Sequence, residues 1–270
     1  MKDSFVSVIM PCYNSEKFIS ETIESVINQT HKNLELLIID DKSNDNTINI
    51  VKKYIKTDSR IKLFKSNTNF GGPAKPRNIG IENSNFDLLA FIDSDDIWHP
   101  KKIEIQIKYI NKLKVKFIST NKKIFKIFKG FEKISKDQLK YSSLSYNKLL
   151  LKDFITLSSV LVKKNVIENI MFDESKKYIA HEDYVCFLEI HKIINHSIIL
   201  KHPLVLYRIS DNQISGNTLF QKFKRLKTHF IQMYNHEHKY FGKMYFFGII
   251  FLTSHILISL CQRFLNKIKN

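Results

Sequence analysis

Leu88-Leu89-Ala90-Phe91-Ile92-Asp93-Ser94-Asp95-Asp96 is an apolar run that stops abruptly in three carboxylates. Five apolar residues in a row predict a buried strand, and the acids fall where such a strand leaves its sheet. In open α/β sheets ligands collect beyond the carboxyl ends of the strands. Asp93 and Asp95, one residue apart, are hard oxygen ligands suited to Mg2+ or Mn2+, cations often held by one or two carboxylates plus substrate phosphates. The plainer reading is an acidic turn that caps the helix starting near Pro100, since Asp is a favoured N-cap residue. An isolated Asp-x-Asp favours that plainer reading. The company these acids keep reverses it, because the rest of the N-terminal half is laid out to hold a nucleotide over them.

Working outward, Phe5 to Met10 is a short β-branched run halted by Pro11 and predicts the first strand. Ser15 is placed to cap a helix whose apolar residues Phe18, Ile19, Ile23, Val26 and Ile27 recur at helical spacing. Leu34 to Ile39 predicts a second buried strand running into Asp40-Asp41. A helix follows from about Thr47, then a strand from Ile61 to Phe64. The turn Asn69-Phe70-Gly71-Gly72-Pro73 leads into a short helix through Arg77, Asn78 and Ile81. This β-α-β-α-β alternation implies a mostly parallel sheet with right-handed crossovers. A dehydrogenase needs Gly-x-Gly-x-x-Gly in the first turn so that the backbone can approach a pyrophosphate. Here that turn is Pro11-Cys12-Tyr13-Asn14-Ser15, without a glycine. A flat base against Tyr13 suits it, with the phosphate charge met elsewhere; the competing role for Tyr13 is core packing.

Beyond the acids, Ile103, Ile107 and Ile110 mark a helix from Lys101 to Leu113, and Val115 to Ser119 predicts a strand. The lysine- and aromatic-rich stretch from Asn121 to Leu151 has no clean period and reads as a variable excursion near an acceptor. Thr156 to Val162 returns to strand character. Ala180-His181-Glu182-Asp183-Tyr184 opens a helix, and Leu204 to Ile209 predicts a last strand before a polar loop from Ser210 to Gly216. For Glu182 and Asp183, placement at the positive end of a helix dipole is the bland explanation.

Bulk properties narrow the class. With 270 residues, 43% hydrophobic and 26% charged, the chain is a globular protein with one sizeable core. Lys and Arg outnumber Asp and Glu 43 to 26, a net charge of +17 that favours phosphate-rich partners. The basic residues are scattered, without the compact arms of a nucleic-acid binder, so no nucleic acid is expected. Cys12, Cys186 and Cys261 are too far apart for a disulfide framework or a zinc cluster, which points to a reducing compartment. His229, His236 and His238 lack companion ligands at zinc spacing apart from Glu237. The first residues carry too short an apolar run for a signal peptide, so a cytoplasmic location is expected.

The C-terminal segment is a separate question. Lys222, Lys224, Arg225 and Lys227 precede a run from Met244 to Cys261 rich in Phe, Ile and Leu but broken by polar residues. An in-plane amphipathic helix on the cytoplasmic face of a membrane suits it best. An ordinary core or dimer helix and a true span are the alternatives.

Taken together, Val-Ser-Val-Ile-Met-Pro-Cys-Tyr-Asn (6–14), Leu-Ile-Ile-Asp-Asp-Lys-Ser-Asn-Asp-Asn-Thr (37–47), Gly-Pro-Ala-Lys-Pro-Arg-Asn-Ile-Gly (72–80) and Phe-Ile-Asp-Ser-Asp-Asp (91–96) resemble the inverting family 2 glycosyltransferases. These have the GT-A fold, and the resemblance is to the bacterial kind that builds O-antigen, lipooligosaccharide or capsule. It implies an α/β, GT-A domain over residues 1–215. Residues 1–120 would bind the nucleotide-sugar and 121–215 the acceptor, and a helical extension over 216–270 would follow. It further implies that Pro11, Tyr13 and Asp41 frame a uracil, with Glu16 one turn into the first helix near the ribose and Arg77 along the phosphates. Asp93, Ser94 and Asp95 would meet the nucleotide-sugar, with Asp95 and Asp93 holding Mg2+ or Mn2+. Asp96 and Glu182 would lie on the acceptor or sugar side, and Asp183 would be the general base. The implied partners are a UDP-sugar donor and a lipid-linked oligosaccharide acceptor, giving a β-linked product. A sugar-nucleotidyltransferase shares the acid-plus-metal logic but is expected to carry a glycine-rich triphosphate loop, absent here. A non-catalytic basic membrane- or polyanion-binding protein is the other rival, and it predicts salt-steep binding.

Overall fold

The computed structural model describes residues 4–131, 140–151, 153–175, 178 and 180–209. The 210–216 loop, the 216–270 extension with its apolar run, the late histidines and Cys261 lie outside the described residues, as does the expected boundary at 215.

The N-terminal half follows its periodicity. β1 (Val6–Cys12), α1 (Ile19–Ile27), β2 (Leu34–Asp40), α2 (Thr47–Ile55), β3 (Ile61–Lys65), α3 (Ala74–Glu82) and β4 (Leu88–Phe91) alternate along the chain. β1 pairs in parallel with β2 and β4, and β2 with β3. Every residue of β1, β2 and β4 is buried, because helices cover both faces of the sheet. Val8, Met10, Leu36 and Ile38 join Ile23 and Val26 of α1 and Val51 of α2 in one core. Each such side chain contributes about 1.5–3 kcal/mol by leaving water.

The second half closes the sheet differently. It contains β5 (Ile97–Trp98), α4 (Lys102–Leu113), β6 (Phe117–Phe125), β7 (Tyr141–Leu144) and α5 (Tyr146–Leu151). A 3-10 turn (Leu157–Ser159), β8 (Leu161–Lys163), α6 (Lys164–Ile167), α7 (Glu182–Ile193) and β9 (Ser197–Arg208) follow. The strand order is β3-β2-β1-β4-β8-β6-β9-β5, with β7 also paired to β9. β8 runs antiparallel between β4 and β6, so the sheet is parallel on one side and mixed on the other.

Several expectations need correction. Pro11 does not stop β1, which pairs with β2 as far as Cys12–Asp40. Pairing with β4 has already ended at Ile9–Phe91, so the missing N–H of Pro11 falls on an unpaired side and costs little. Ser15 does not cap α1; Phe18 holds that position without a side-chain bond. Thr156 to Val162 is not one strand, because Ser158 and Ser159 turn their hydroxyls onto Asp96 and the Thr156 carbonyl, which favours a turn. β6 extends to Phe125 and β9 begins at Ser197, longer than their apolar patterns suggest. Lys201-His202-Pro203 interrupts the β9 pattern, and the sheet absorbs it through register shifts around Asn121.

Gly80 explains the glycine of the Arg-Asn-Ile-Gly motif. A Cβ there would lie 2.4 Å from Ile9 Cγ2 and 3.0 Å from Ile39 Cδ1, so α3 rests directly on β1 and β2. Gly80→Ala gains about 1 kcal/mol of helix propensity but overpacks a stiff β-branched neighbour at about 1–3 kcal/mol. The clash wins, and a lowered urea midpoint with an unchanged m-value is expected.

Candidate active site

Parallel pairing brings the carboxyl ends of β1, β2 and β4 to one edge of the sheet; Tyr13 and Asp41 follow directly from β1 and β2, and Asp93 lies two residues beyond β4. Two of the motifs found in the sequence lock onto each other there. Asn14 N–H donates to Ser43 Oγ and its Oδ1 accepts from Asn44 N–H. Ser15 N–H donates to Thr47 Oγ1, Glu16 N–H to Asp45, and Asn46 N–H to Glu16 Oε2. Glu16 therefore sits in the turn before α1 rather than one turn into it. Asn14, Lys42 and Ala180 have positive φ (47°, 64° and 70°), unfavourable for side chains with a Cβ. All three flank candidate site residues.

Tyr13 is 50% exposed, so core packing is not its role. Pro11 is buried in β1. Asp41 is buried, and its Oδ1 accepts from Phe70 N–H at 2.9 Å, pinning the glycine turn against the end of β2. Burial raises the pKa of its carboxyl, partly countered by the backbone N–H groups of Phe70 and Gly71.

The acid turn is held from below by residues that the sequence did not single out. The acids do not cap α4, whose cap position is Lys101 with no side-chain bond. Ser158 Oγ accepts from Asp93 N–H at 3.1 Å and donates to Asp96 Oδ2 at 2.6 Å. Arg208 donates through its backbone N–H to Asp96 Oδ1 at 3.0 Å and through Nε to the Asp95 carbonyl at 2.8 Å. Its guanidinium lies 4.4 Å from the Phe18 ring and 4.5 Å from Phe125, and it also donates to Glu21. Asp96 is fully buried, with burial and then the charges of Asp95 and Asp93 pushing its carboxyl well up. Asp96, expected on the acceptor or sugar side, is held beneath the turn with both carboxylate oxygens hydrogen-bonded. Ser94 Oγ shares a 2.7 Å hydrogen bond with Ser15 Oγ, joining the turn to the end of β1. Trp98 Nε1 donates to the Ser158 carbonyl, and wholly buried Lys102 stands 3.9 Å over the Trp98 ring while donating to Gln106. Burial pulls the Lys102 ammonium well below its usual range.

Arg77 unites the two ends of the site. It is 4% exposed, with Nη1 2.6 Å from Glu182 Oε1 and Nη2 3.0 Å from Asp93 Oδ1. The sequence placed Arg77 along the phosphates; here both terminal nitrogens are taken up by carboxylates, so it bridges α7 and the acid turn. Burial works against its charge, but Asp93, Glu182 and Asp183 outweigh that and hold its pKa above the ordinary value. Neighbouring Asn78 makes a matching clamp, exchanging hydrogen bonds with the backbone of Phe172 and donating to Glu174. Glu182 is buried on this bridge, and its Oε2, like Arg77 Nε, has no hydrogen-bond partner. Such orphaned buried polar atoms cost about 1–3 kcal/mol each, and this pair lies beside the ion bridge. Asp183, half-buried in the first turn of α7, is pushed up to about 8 by burial, then by Glu182 and Asp153, against the pull of Arg77.

The side chains that could offer oxygens to a cation are Asp93, 34% exposed and sharing Oδ1 with Arg77, and half-buried Asp95. Among the described residues no group of three or more His, Cys, Asp or Glu encloses a metal. Two carboxylates on one turn still fit a hard cation that takes its remaining ligands from diphosphate and water.

A mixed sheet flanked by helices, with an acid turn at its carboxyl edge and a second carboxylate pair facing that turn, is the architecture of GT-A glycosyltransferases. The S. aureus TarS 1-349 structure in complex with UDP-GlcNAc has the same fold, at a TM-score of 0.69 and 21% identity over 86% of this chain and 67% of that one. The chain belongs to Glycosyl transferase family 2, which it matches over residues 7–170. Two Escherichia coli relatives are named UDP-Glc:alpha-D-GlcNAc-diphosphoundecaprenol beta-1,3-glucosyltransferases. WfgD is 37% identical over 228 residues (84% of each chain), and WfaP 35% over 224 residues (82% of each). The protein is a glycosyltransferase, and neither the nucleotidyltransferase nor the non-catalytic reading stands.

Proposed function

We propose that this enzyme moves a hexose or N-acetylhexosamine from a UDP-sugar to a hydroxyl of a lipid-linked glycan in bacterial surface polysaccharide assembly, inverting the anomeric centre. The names of WfgD and WfaP make UDP-glucose and a diphosphoundecaprenol-linked acceptor the first pair to try. The observation that carries the reading is the Arg77 bridge, which ties the helix start bearing Asp183 to the turn bearing Asp93.

In this reading the uracil lies against the exposed face of Tyr13, with Asp41 at the rim and Glu16 toward the ribose. Asp95 and Asp93 would hold Mg2+ or Mn2+, which when bound offsets the charge growing on the departing diphosphate. Arg77 keeps Asp93 and Glu182 at fixed positions beside the sugar. Asp183 takes the proton of the acceptor hydroxyl as that oxygen attacks the anomeric carbon from the face opposite the diphosphate. A single displacement then converts an α-linked donor to a β-linked product. No covalent intermediate on the protein is needed.

Incubating the protein with UDP-glucose or UDP-N-acetylglucosamine, Mn2+ and the lipid-linked acceptor tests this, with the product anomer read by NMR. An α-linked product, or no transfer from any UDP-sugar, overturns it. Asp95→Ala is expected to remove the Mn2+-dependent part of UDP affinity, a loss of at least tenfold by calorimetry with Mn2+ present and little change without it. Equal affinities with Mn2+ would remove Asp95 from the ligand set.

A further inference from the structure

The end of β6 and the segment after it read Lys122-Lys123-Ile124-Phe125-Lys126-Ile127-Phe128-Lys129-Gly130-Phe131, four lysines and no acid, and the chain leaves the sheet after Phe125. Ile124, Ile127 and Phe128 are 57, 75 and 43% exposed, an unusual concentration of large apolar side chains in contact with water. Lys126 and Lys129 are exposed beside them. The segment is seated from underneath: Phe128 packs against Phe131 at 5.4 Å, and Phe131 against His99 at 5.0 Å. Phe125 lies on Arg208, which holds the Asp95 carbonyl, and the Phe125 carbonyl accepts from Ile209 N–H. Phe125, at the root of the exposed segment, is therefore linked through Arg208 to the acid turn.

We propose that residues 124–129 dock on an anionic lipid bilayer and turn the mouth of the site toward it. This rests on the proposed function for its purpose, a lipid-linked acceptor presented at the membrane surface. The pattern selects lipid over a protein partner. Protein interfaces keep lysine out of an apolar centre, whereas here lysines interleave with Ile124, Ile127 and Phe128 and leave no lysine-free core. A bilayer accepts both, the rings and aliphatic chains entering the acyl boundary and the ammonium groups remaining among anionic headgroups.

The test is flotation of the full chain with phosphatidylcholine vesicles, with and without about one-third phosphatidylglycerol, in the absence of substrates. Ile127→Ser/Phe128→Ser and Lys126→Glu/Lys129→Glu are compared with wild type after matching thermal midpoints show that both fold. Each lysine near an anionic surface is worth about fivefold in partition, so each double variant is expected to bind the anionic vesicles at least tenfold more weakly. Wild-type binding should weaken with salt and nearly vanish on neutral vesicles. Transfer to a water-soluble acceptor analogue should be unchanged in the variants, while transfer to the acceptor embedded in vesicles falls. Variants that float like wild type, a wild type that ignores anionic vesicles, or a change in oligomeric state on mutation each overturn the proposal. Loss of transfer to the soluble analogue in the wild type would instead count against the proposed function, because vesicle binding is read without it.

Discussion

Asp183→Asn is expected to lower kcat for transfer by about 10²–10⁴, the usual contribution of a positioned general base, while UDP affinity stays within twofold. On the proposed function the nucleotide meets Tyr13, Asp41 and the acid turn, none of which this substitution disturbs. An amide nearly matches a carboxylate in shape but has no basic oxygen to take the acceptor proton. The raised pKa of Asp183, about 8, adds two pH signatures. First, kcat/KM of the wild type should climb with pH and level off above about 8, since only the ionised carboxylate accepts the proton. The variant should lack that limb. Second, between the ordinary value of 3.8 and about 8 the folded protein keeps a proton that the unfolded chain has released. By linkage that contribution to stability falls as pH rises through the window. The amide carries no such burden, so the melting temperature of the variant should exceed wild type at pH 8 and converge on it near pH 4. A variant that transfers at the wild-type rate, or loses UDP binding equally, would remove Asp183 from the base role.

Arg77→Ala should have the largest effect on stability. Removing one partner of a buried ion pair costs about 3–5 kcal/mol because the other charge is stranded, and here two carboxylates lose their partner at once. At roughly 2–4 °C per kcal/mol for a chain of this size, a drop of roughly 10 °C or more is expected at pH 8. The sign with pH follows from the charges. Arg77 favours the ionised form of Asp183, so its loss makes Asp183 bind a proton more readily. The deficit should therefore shrink as pH falls toward 5, where Asp183 is protonated and no longer needs the guanidinium. Arg77 also pulls the Asp183 pKa down, so residual activity should show its pH limb moved to more alkaline values. An equal loss at pH 5 and pH 8 would mean that lost packing on Phe172, 5.4 Å from the guanidinium, dominates over charge.

Much of the site was legible in advance because its chemistry sits at the ends of regular elements. Tyr13, Asp41 and Asp93 could be placed from the apolar runs before them, since a buried parallel strand announces its own carboxyl end. Roles decided by distant partners were not legible. Asp96 looks like its neighbours Asp93 and Asp95 in sequence, yet Ser158 and Arg208 draw it inward. Lys102 and Gln106 lie on an apolar helix face where nothing local signals that a charged residue will be buried against Trp98.

Hydrophobic periodicity and turn chemistry, acting over a few residues, were enough to determine the β-α-β order of the N-terminal half, the glycine-free first turn and the acid cluster after Leu88–Ile92. The tertiary structure alone decided that Arg77 is shared between Asp93 and Glu182, 16 and 105 positions away. The physical reason is that a guanidinium leaves water only when carboxylates already wait for it. Where the chain returns to supply them is set by the packing of α3, α7 and the sheet together, not by any local pattern.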